Sequence, residues 1–395
     1  AANSGMSGNY NSNWLSYDLY QYAGTDLVTY TSEDGFRPLT ASEYDNTFTA
    51  AASTGTNSNV WLTGPNTLNN NQTINALKMG HNVTQTINAK LTVTSGVLLG
   101  NHYNNAPISI AGTGTISSGT RAFIVYGSQN TITFGPELTL TNDLEADDPA
   151  PGLILAQAGT TTILSGSNSY GGSTLVQGKA LVNNSHAITN SELRVDLGGA
   201  LSVGNNSHVE ITKLSGNGTV NFSDTPPGNQ LNIGGTTGTA DTVTVNNGGI
   251  VAPGDLSGKL QTGTLFLGDY VEALTFKAGA FLDLDIADDL TSDMIVSLNN
   301  LSTLTFENNA TIRLNFLSAD YTPDFDTASW QIVSGFESVV GNLDNLNVTD
   351  TRGYDYHFIL EGNNLLLHAQ IPEPSTWLLL TIGATLLVTT LRRRR

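Results

Sequence analysis

Short runs in which apolar and polar residues alternate make up most of the chain between about residues 58 and 370. Leu91-Thr92-Val93, Ile108-Ser109-Ile110 and Ile132-Thr133-Phe134 are examples, and glycine and asparagine separate such runs. A period of two places successive side chains on opposite faces of a strand, and Thr, Val and Ile favour extended structure. No stretch of comparable length before the C-terminal tail has an apolar stripe of helical period. The pattern therefore predicts an all-β fold, with helix almost only at the C-terminus.

The middle of the chain, about 153–270, repeats a glycine followed by a strand-like run. Gly178, Gly199 and Gly218 lie roughly 20 residues apart, a spacing typical of one coil of a parallel β-solenoid. Asparagine tolerates left-handed corners and can hydrogen-bond between stacked coils. Asparagine pairs recur in this region at Asn183-Asn184, Asn205-Asn206 and Asn246-Asn247. The alternative is an antiparallel sandwich, but signals for two-residue hairpins are sparse across 153–250, which favours the solenoid.

Strand patterns continue from about 279 to 370. Leu282, Leu284 and Ile286 alternate with Asp283 and Asp285, so the two sets should face opposite sides of one strand. Near the end, an aromatic run over 354–360 leads through Gly362-Asn363-Asn364 to a second apolar run, which predicts an antiparallel hairpin. We expect this hairpin to close the stack of coils ahead of the tail.

These differences in composition and in apolar pattern divide the chain into four segments. Residues 1–57 form a polar and aromatic N-terminal segment, 58–278 the solenoid, 279–370 the last β coils with the hairpin, and 371–395 the tail. We expect the first segment to cap the stack and shield its end from edge pairing, although its aromatic rings would also suit stacking on sugars. The aromatic residues concerned are Tyr10, Trp14, Tyr17, Tyr20, Tyr22 and Tyr30.

The tail has three parts in a fixed order. Pro372-Glu373-Pro374 is a stiff, non-helical tripeptide, Trp377–Leu391 has no charged residue, and Arg392, Arg393, Arg394 and Arg395 end the chain. A helix over the uncharged part would be roughly 22 Å long, shorter than the ~30 Å hydrocarbon core of a bilayer. Terminal arginines favour the cytoplasmic side, so we expect a marginal membrane span with the bulk of the chain outside the cytoplasm. An ordinary permanent tail anchor is the alternative.

The order of these three parts resembles the PEP-CTERM protein-sorting signal. The resemblance implies a Gram-negative bacterium and recognition by an exosortase, a membrane enzyme that cuts near the Pro-Glu-Pro motif and releases or transfers the protein outward. It also implies an association with exopolysaccharide production. We therefore expect an exported protein that is anchored transiently and then resides at the cell surface or in the extracellular matrix.

A second resemblance covers roughly residues 150–300. Leu164-Ser165-Gly166-Ser167-Asn168-Ser169-Tyr170-Gly171-Gly172-Ser173-Thr174, followed by Leu181-Val182-Asn183-Asn184, is similar to the autotransporter-associated β-strand repeat. That likeness implies a right-handed β-helix displayed on the cell surface. Autotransporters end in a large membrane β-barrel, whereas this sequence ends in one hydrophobic segment, so we expect a different route of export.

Composition agrees with export. The 395 residues include no cysteine, which excludes disulfides and thiolate metal sites. The formal net charge is −19, and such an acidic surface repels phosphate backbones, so we expect no nucleic-acid partner. The sequence starts Ala1-Ala2-Asn3, which resembles what remains after cleavage of a leader at a small-residue site, and we expect a leader to have been removed.

Motifs of enzymes are absent from the sequence. The six histidines never fall at the i, i+4 spacing of a helical metal site, and no His-Glu-x-x-His, Gly-x-Ser-x-Gly or Walker phosphate loop occurs. Carboxylates do cluster, and we expect an exposed acidic rim that keeps a strand edge unpaired. Calcium binding, or the acid and base of a polysaccharide hydrolase or lyase, are alternative roles. The cluster comprises Asp283, Asp285, Asp288, Asp289 and Asp293.

Three classes of function follow. We expect a non-catalytic surface or matrix protein that adheres to or organises extracellular polysaccharide, with no required cofactor apart from a possible calcium ion. A carbohydrate-active enzyme on a β-helix is the first alternative, although fold analogy alone is weak evidence for activity. A glycan-binding lectin that uses the tyrosine-rich N-terminal segment is the second.

Overall fold

A computed structural model of the protein describes the greater part of residues 27–370. The described residues are 5–6, 27–31, 35–49, 57–80, 82–100, 106–127, 131–145, 148, 150–156, 161–188, 192–222, 228–234, 237–254, 262–318, 320–324, 328–341, 343, 346–350 and 354–370.

Short β-strands form almost all of the regular structure. The N-terminal elements are β1 (Gly5–Met6), β2 (Leu27–Thr31), β3 (Gly35–Pro38), a 3-10 helix (Ala41–Glu43) and β4 (Tyr44–Asp45). Next come β5 (Asn59–Leu62), β6 (Asn66–Leu68), β7 (Gln72–Ile74), β8 (Ala76–Met79), β9 (Val83–Ile87), β10 (Lys90–Val93), β11 (Val97–Gly100), β12 (Ile108–Ala111), β13 (Thr115–Ser117), β14 (Phe123–Gly127), β15 (Thr131–Phe134), β16 (Thr139–Thr141), β17 (Pro151–Ala156), β18 (Thr161–Leu164), β19 (Ser173–Val176) and β20 (Lys179–Val182). The remaining strands are β21 (Glu192–Val195), β22 (Ala200–Val203), β23 (His208–Ile211), β24 (Lys213–Gly216), β25 (Thr219–Phe222), β26 (Gln230–Ile233), β27 (Thr242–Val245), β28 (Ile250–Pro253), β29 (Thr264–Leu267), β30 (Ala273–Phe276), β31 (Phe281–Ile286), β32 (Met294–Ser297), β33 (Thr303–Phe306), β34 (Thr311–Phe316), β35 (Ser329–Ser334), β36 (Ser338–Val340), β37 (Asn347–Thr349), β38 (Asp355–Glu361) and β39 (Asn364–Gln370).

Two sheets, each of 13 strands in the described part of the chain, run along the molecule. The first long sheet has the order β4-β5-β8-β11-β14-β17-β19-β21-β24-β28-β31-β34-β37, and the second has the order β6-β9-β12-β15-β18-β20-β22-β25-β29-β32-β35-β39-β38. Two smaller sheets, β7-β10-β13-β16 and β23-β26-β27-β30-β33-β36, supply a third side near each end. Pairings such as β20 with β22 and β21 with β24 are parallel, so the chain passes from sheet to sheet and returns one strand further along.

This all-β arrangement of long parallel sheets is compatible with the predicted β-solenoid. The antiparallel sandwich is wrong for the middle of the chain, where the pairings in both long sheets are parallel. Leu201 lies between Ala180 of the preceding coil and Val220 of the following coil, as the glycine spacing predicted. In this part of the stack the apolar residues that alternate along the strands point inward, and Leu201, Val203 and Val220 are fully buried.

The repeated glycines stack at one corner because the backbones of neighbouring coils approach closely there. The carbonyl of Gly178 accepts the N–H of Ala200, and the carbonyl of Gly199 accepts the N–H of Thr219. A Cβ at Gly199 would lie 2.4 Å from the carbonyl oxygen of Val176, so a side chain has no room. Glycine is required here by contact between coils.

The asparagine pairs behave differently from one another. Asn205 and Asn206 have φ values of 58° and 54°, the left-handed geometry predicted for a corner. Asn205 also donates from Nδ2 to the carbonyl of Asn183 in the preceding coil, over 3.1 Å. Asn183-Asn184 and Asn246-Asn247 are not left-handed, and in the latter pair it is the following Gly248 that has a positive φ of 84°.

Coil length varies along the chain and increases from the middle toward the C-terminus. Gln177 and Asp196, which are 19 residues apart, hydrogen-bond between neighbouring coils, whereas Lys277 and Glu307, which are 30 apart, do so later in the chain. The longer coils include strands of the six-stranded sheet, which adds a third side. The spacing near 20 residues therefore applies to the middle of the chain and to some N-terminal coils, such as the one from Leu77 to Leu98, but not to the C-terminal coils.

At the N-terminal side, the described part of segment 1–57 packs against the outside of the first long sheet. Leu27 and Leu39 are buried against Leu99 and Tyr126, on the face of the sheet that points away from the main core. Strand β4 already pairs with β5 in parallel, so the first long sheet begins at Tyr44. Tyr10, Trp14, Tyr17, Tyr20 and Tyr22 lie outside the described residues, and the cap over the end of the stack stays a prediction.

The predicted C-terminal hairpin is confirmed. Strands β38 and β39 pair antiparallel, with Asp355 opposite Gln370 at one end and Glu361 opposite Asn364 at the other. Gly362 in the connecting turn has a φ of 59°. Strand β39 also pairs antiparallel with β35, so it lies between two partners. The boundaries predicted at 57/58, 278/279 and 370/371 are not tested by this topology and stay predictions.

Candidate functional site

The predicted acidic cluster begins on β31, where Asp283 forms an ion pair with Arg313 of β34. The two residues lie directly opposite each other in neighbouring coils, and Arg313 Nε and Nη2 are 2.5 and 2.6 Å from the carboxylate oxygens. The guanidinium also lies over the ring of Phe281, 4.2 Å from its centroid. The Asp283 carboxylate is thereby neutralised on the outer surface.

Asp285 and Asp293 are buried, with exposed fractions of 2% and 1%. The Asp293 carboxylate accepts the backbone N–H of Asp285 over 2.8 Å and that of Gly263 over 2.7 Å. The exposed acidic rim predicted from the sequence is therefore wrong for these two residues. Asp293 folds back over β31 and satisfies backbone donors that the ladder leaves free, which is why its carboxylate is buried.

Asp288 and Asp289 stabilise the turn after β31. Hydrogen bonds from the Leu290 N–H and then the Thr291 hydroxyl hold the pKa of Asp288 below its usual range. Asp289 accepts the Tyr321 hydroxyl over 2.5 Å and the Asp324 N–H over 3.1 Å. The carboxylates of the cluster thus have separate partners.

Within the described ranges, no three His, Cys, Asp or Glu side chains are grouped as ligands of one cation would be. The alternative of calcium at Asp283, Asp285, Asp288 and Asp289 therefore gains no support from the geometry.

A cavity of about 500 Å³ opens at the C-terminal end of the stack, between β37 and β38. We call it the end cavity. Tyr354, at its edge, packs edge-on against Phe316 with ring centroids 6.3 Å apart, and Tyr356 donates its hydroxyl to Asp350. Aromatic, amide, hydroxyl and carboxylate groups together suit a small polar ligand such as a sugar. The lining comprises Thr311, Leu343, Leu346, Asn347, Val348, Thr349, Tyr354, Asp355, Tyr356, His357 and Phe358.

Two histidines meet on the outer face of the hairpin. His357 of β38 lies directly opposite His368 of β39, with ring centroids 5.1 Å apart and 29° between the planes. His368 Nε2 lies 2.9 Å from Ser329 Oγ on β35. Burial lowers the pKa of His368, charge repulsion from His357 lowers it further, and Glu361 acts in the opposite direction.

Sequence reasoning missed this pair because it searched the histidines for helical i, i+4 spacing. The signal was present in the predicted hairpin. His357 and His368 are equidistant from the Gly362-Asn363 turn, so a two-residue loop sets them opposite each other.

The sorting residues lie outside the described part of the chain. This applies to Pro372, Glu373, Pro374, Trp377, Leu391, Arg392, Arg393, Arg394 and Arg395. Among the described residues, no helix combines the length and apolar character needed to cross a bilayer.

Comparison with known families identifies the tail. Residues 370–395 match the model of the PEP-CTERM protein-sorting motif. No curated protein matches the chain. The motif indicates an exported surface protein, and it implies processing by an exosortase. For the repeat region, the long parallel sheets support the β-helix only in general terms.

Proposed function

We propose that this chain is a non-catalytic protein of a Gram-negative cell surface or extracellular matrix, associated with exopolysaccharide or adhesion. The observation that carries the proposal is a sorting motif at residues 370–395 attached to a long stack of parallel strands. We further propose a right-handed coil, which is the hand that parallel crossover connections nearly always take. Such a stack is stiff and holds its two ends apart, as a spacer or adhesive surface requires.

The tail acts in this proposal as a temporary membrane handle. Trp377–Leu391, which has no charged residue, is the proposed membrane segment, and Arg392–Arg395 favour the cytoplasmic side at its end. The span is too short to fit a bilayer comfortably, which suits a segment that an exosortase removes near Pro372-Glu373-Pro374. The product is then released or transferred outward.

Absence of catalysis is supported by the partners of the acidic side chains. Hydrolysis of a glycosidic bond usually needs two carboxyl groups facing one substrate. Asp283 is paired with Arg313, and Asp285 and Asp293 are buried. Among the described residues, Asp355 is the one carboxylate that lines the end cavity.

The end cavity is the proposed contact with polysaccharide, because Tyr354 lies there beside Asn347 and Asp355. An aromatic face packs on the C–H side of a sugar ring, while amide and carboxylate groups bind its hydroxyls. Retention of the chain on polysaccharide from the producing organism tests this contact. Tyr354→Ala should weaken retention at least several-fold, whereas Tyr270→Ala, which removes an exposed aromatic ring between β29 and β30 that does not line the cavity, should not.

Equal retention of the two variants would count against the end cavity. If retention is lost only when residues 1–57 are removed, the tyrosine-rich segment would be favoured as the polysaccharide contact instead. Incubation with acidic and neutral glycans tests the enzymatic alternative, and reproducible cleavage that Asp283→Asn or Asp285→Asn abolishes would overturn the non-catalytic proposal.

Localisation in the producing organism tests sorting directly. The natural chain is compared with one that ends at residue 370 and with a full-length variant in which Pro372, Glu373 and Pro374 are alanine. We expect the natural chain at the surface or in the matrix and both variants elsewhere. An unchanged distribution of the alanine variant would show that the motif does not direct this protein.

A further inference from the structure

The outer face of the C-terminal hairpin has a row of three polar side chains on neighbouring strands. His357, His368 and Ser329 belong to β38, β39 and β35, and each is directly opposite the next. Directly opposite residues of an antiparallel pair have Cβ atoms about 4.5–5.5 Å apart. The register alone therefore holds the two imidazoles within reach of a single ion.

The positions of the two rings agree with binding of a single ion by both imidazoles. The centroids are 5.1 Å apart with 29° between the planes, so both rings lie on the same side of the hairpin. A divalent transition metal binds imidazole nitrogen at about 2.0–2.1 Å, and a bound ion thus draws two ligand nitrogens to roughly 3 Å. Rotation of the His357 ring about its two side-chain bonds can bring its nitrogen toward His368, whose ring is held by Ser329.

Hydrogen bonding leaves the pair suited to a metal. His357 Nδ1 is buried and has no hydrogen-bond partner among the described residues. Leaving a buried polar atom without a partner costs free energy, which a metal ligand bond would offset. His368 is held at Nε2 by Ser329, an arrangement in which a neighbouring group fixes the ring and the other nitrogen is left for an ion.

We propose that His357 and His368 form a two-imidazole site for a divalent transition cation such as Zn²⁺ or Cu²⁺. These ions readily bind imidazole, whereas hard cations such as Mg²⁺ and Ca²⁺ prefer oxygen ligands. Water completes the coordination, since the structure supplies two protein ligands. The exposed Asp355, two residues before His357 on the same face of β38, increases the local negative charge.

Titration of the full chain, produced without a polyhistidine tag, tests the site. Zn²⁺ and Cu²⁺ should bind with a stoichiometry near one, and His357→Asn or His368→Asn should weaken binding at least tenfold. His186→Asn and His208→Asn are matched controls on exposed corners and strands elsewhere, and they should leave this binding unchanged. Mg²⁺ should not compete.

Two further measurements separate loss of ligands from loss of fold. Cu²⁺ bound to the natural chain should give an electron paramagnetic resonance spectrum with coupling to two imidazole nitrogens, reduced in each single variant. Zn²⁺ should raise the melting temperature of the natural chain but not of the double variant, which must retain its β circular dichroism. Unchanged affinity in the double variant, or no binding by the natural chain at millimolar Zn²⁺ and Cu²⁺, would overturn the proposal.

Discussion

Arg313 lies directly opposite Asp283 in the neighbouring coil, and the two guanidinium nitrogens that face the carboxylate are 2.5 and 2.6 Å from its oxygens. The pair joins β31 to β34 on the outer surface of the first long sheet. A contact between residues 30 apart in the chain therefore reinforces the alignment that the backbone ladder already defines.

We expect Asp283→Asn to lower stability by no more than about 1 kcal/mol, because both side chains are partly exposed and solvent screens the attraction. The difference from the natural chain should shrink at high salt. Urea unfolding with and without 1 M salt is the measurement. Arg121→Gln is the control, because Arg121 is exposed and no ion pair to it is found among the described residues. A salt-independent loss would assign the effect to packing on Phe281.

Leu201→Ala should destabilise the middle of the stack by about 2–5 kcal/mol. Leu201 is fully buried between Ala180 and Val220, so truncating its side chain leaves one cavity that is bordered by three successive coils. Ser202→Ala on the same strand points outward and should change stability by less than about 0.5 kcal/mol. Denaturant midpoints of the two variants provide the comparison. Equal effects would mean that β22 does not face the core as described.

Glu43 makes a pH-dependent contribution at the N-terminal side. The Arg37 guanidinium, followed by the backbone N–H and the hydroxyl of Thr40, lowers the pKa of Glu43 to about 2. A lowered carboxyl pKa gives stability that is present above the ordinary value of 4.5 and is lost as pH falls toward about 2. The melting temperature of the natural chain should therefore approach that of Glu43→Gln between pH 4.5 and pH 2. A constant difference would contradict the ion pair.

The mature protein isolated from its producer should lack Trp377–Arg395. An exosortase that acts near Pro372-Glu373-Pro374 removes everything beyond the cut, including the four arginines. Intact-mass measurement of the surface-exposed form decides the point. A mass that still contains Arg392–Arg395 would indicate a permanent tail anchor.

Alternation and glycine spacing predicted much of the fold. The stack of Ala180, Leu201 and Val220 follows from the positions of Gly178 and Gly199, because each strand starts at a fixed distance from its glycine. The hairpin followed from the turn at Gly362. Such features depend on residues close together in sequence, so local patterns are sufficient to predict them.

Features that depend on distant residues were not predictable. Asp285 is buried where Asp293 folds back and accepts its backbone N–H. Asp293 also accepts the N–H of Gly263 from the preceding coil, and no local sequence pattern predicts these contacts. The C-terminal coils are longer because each contains an additional strand of the six-stranded sheet, and the sequence spacing did not predict where these strands occur. The histidine pair needed the register of the hairpin to be fixed to the residue, and a shift of one position would place His357 on the opposite face.

Strand β39 has a mechanical consequence for any attachment made at its end. It lies between β35 and β38 and is hydrogen-bonded to both, and the chain leaves it at residue 370. A pull on a tether there, directed along the strand, must shear two ladders at once, whereas a strand at the edge of the sheet would shear one. A protein attached to the cell through its C-terminus would therefore transmit a pulling force to a strand that two neighbouring strands hold in place.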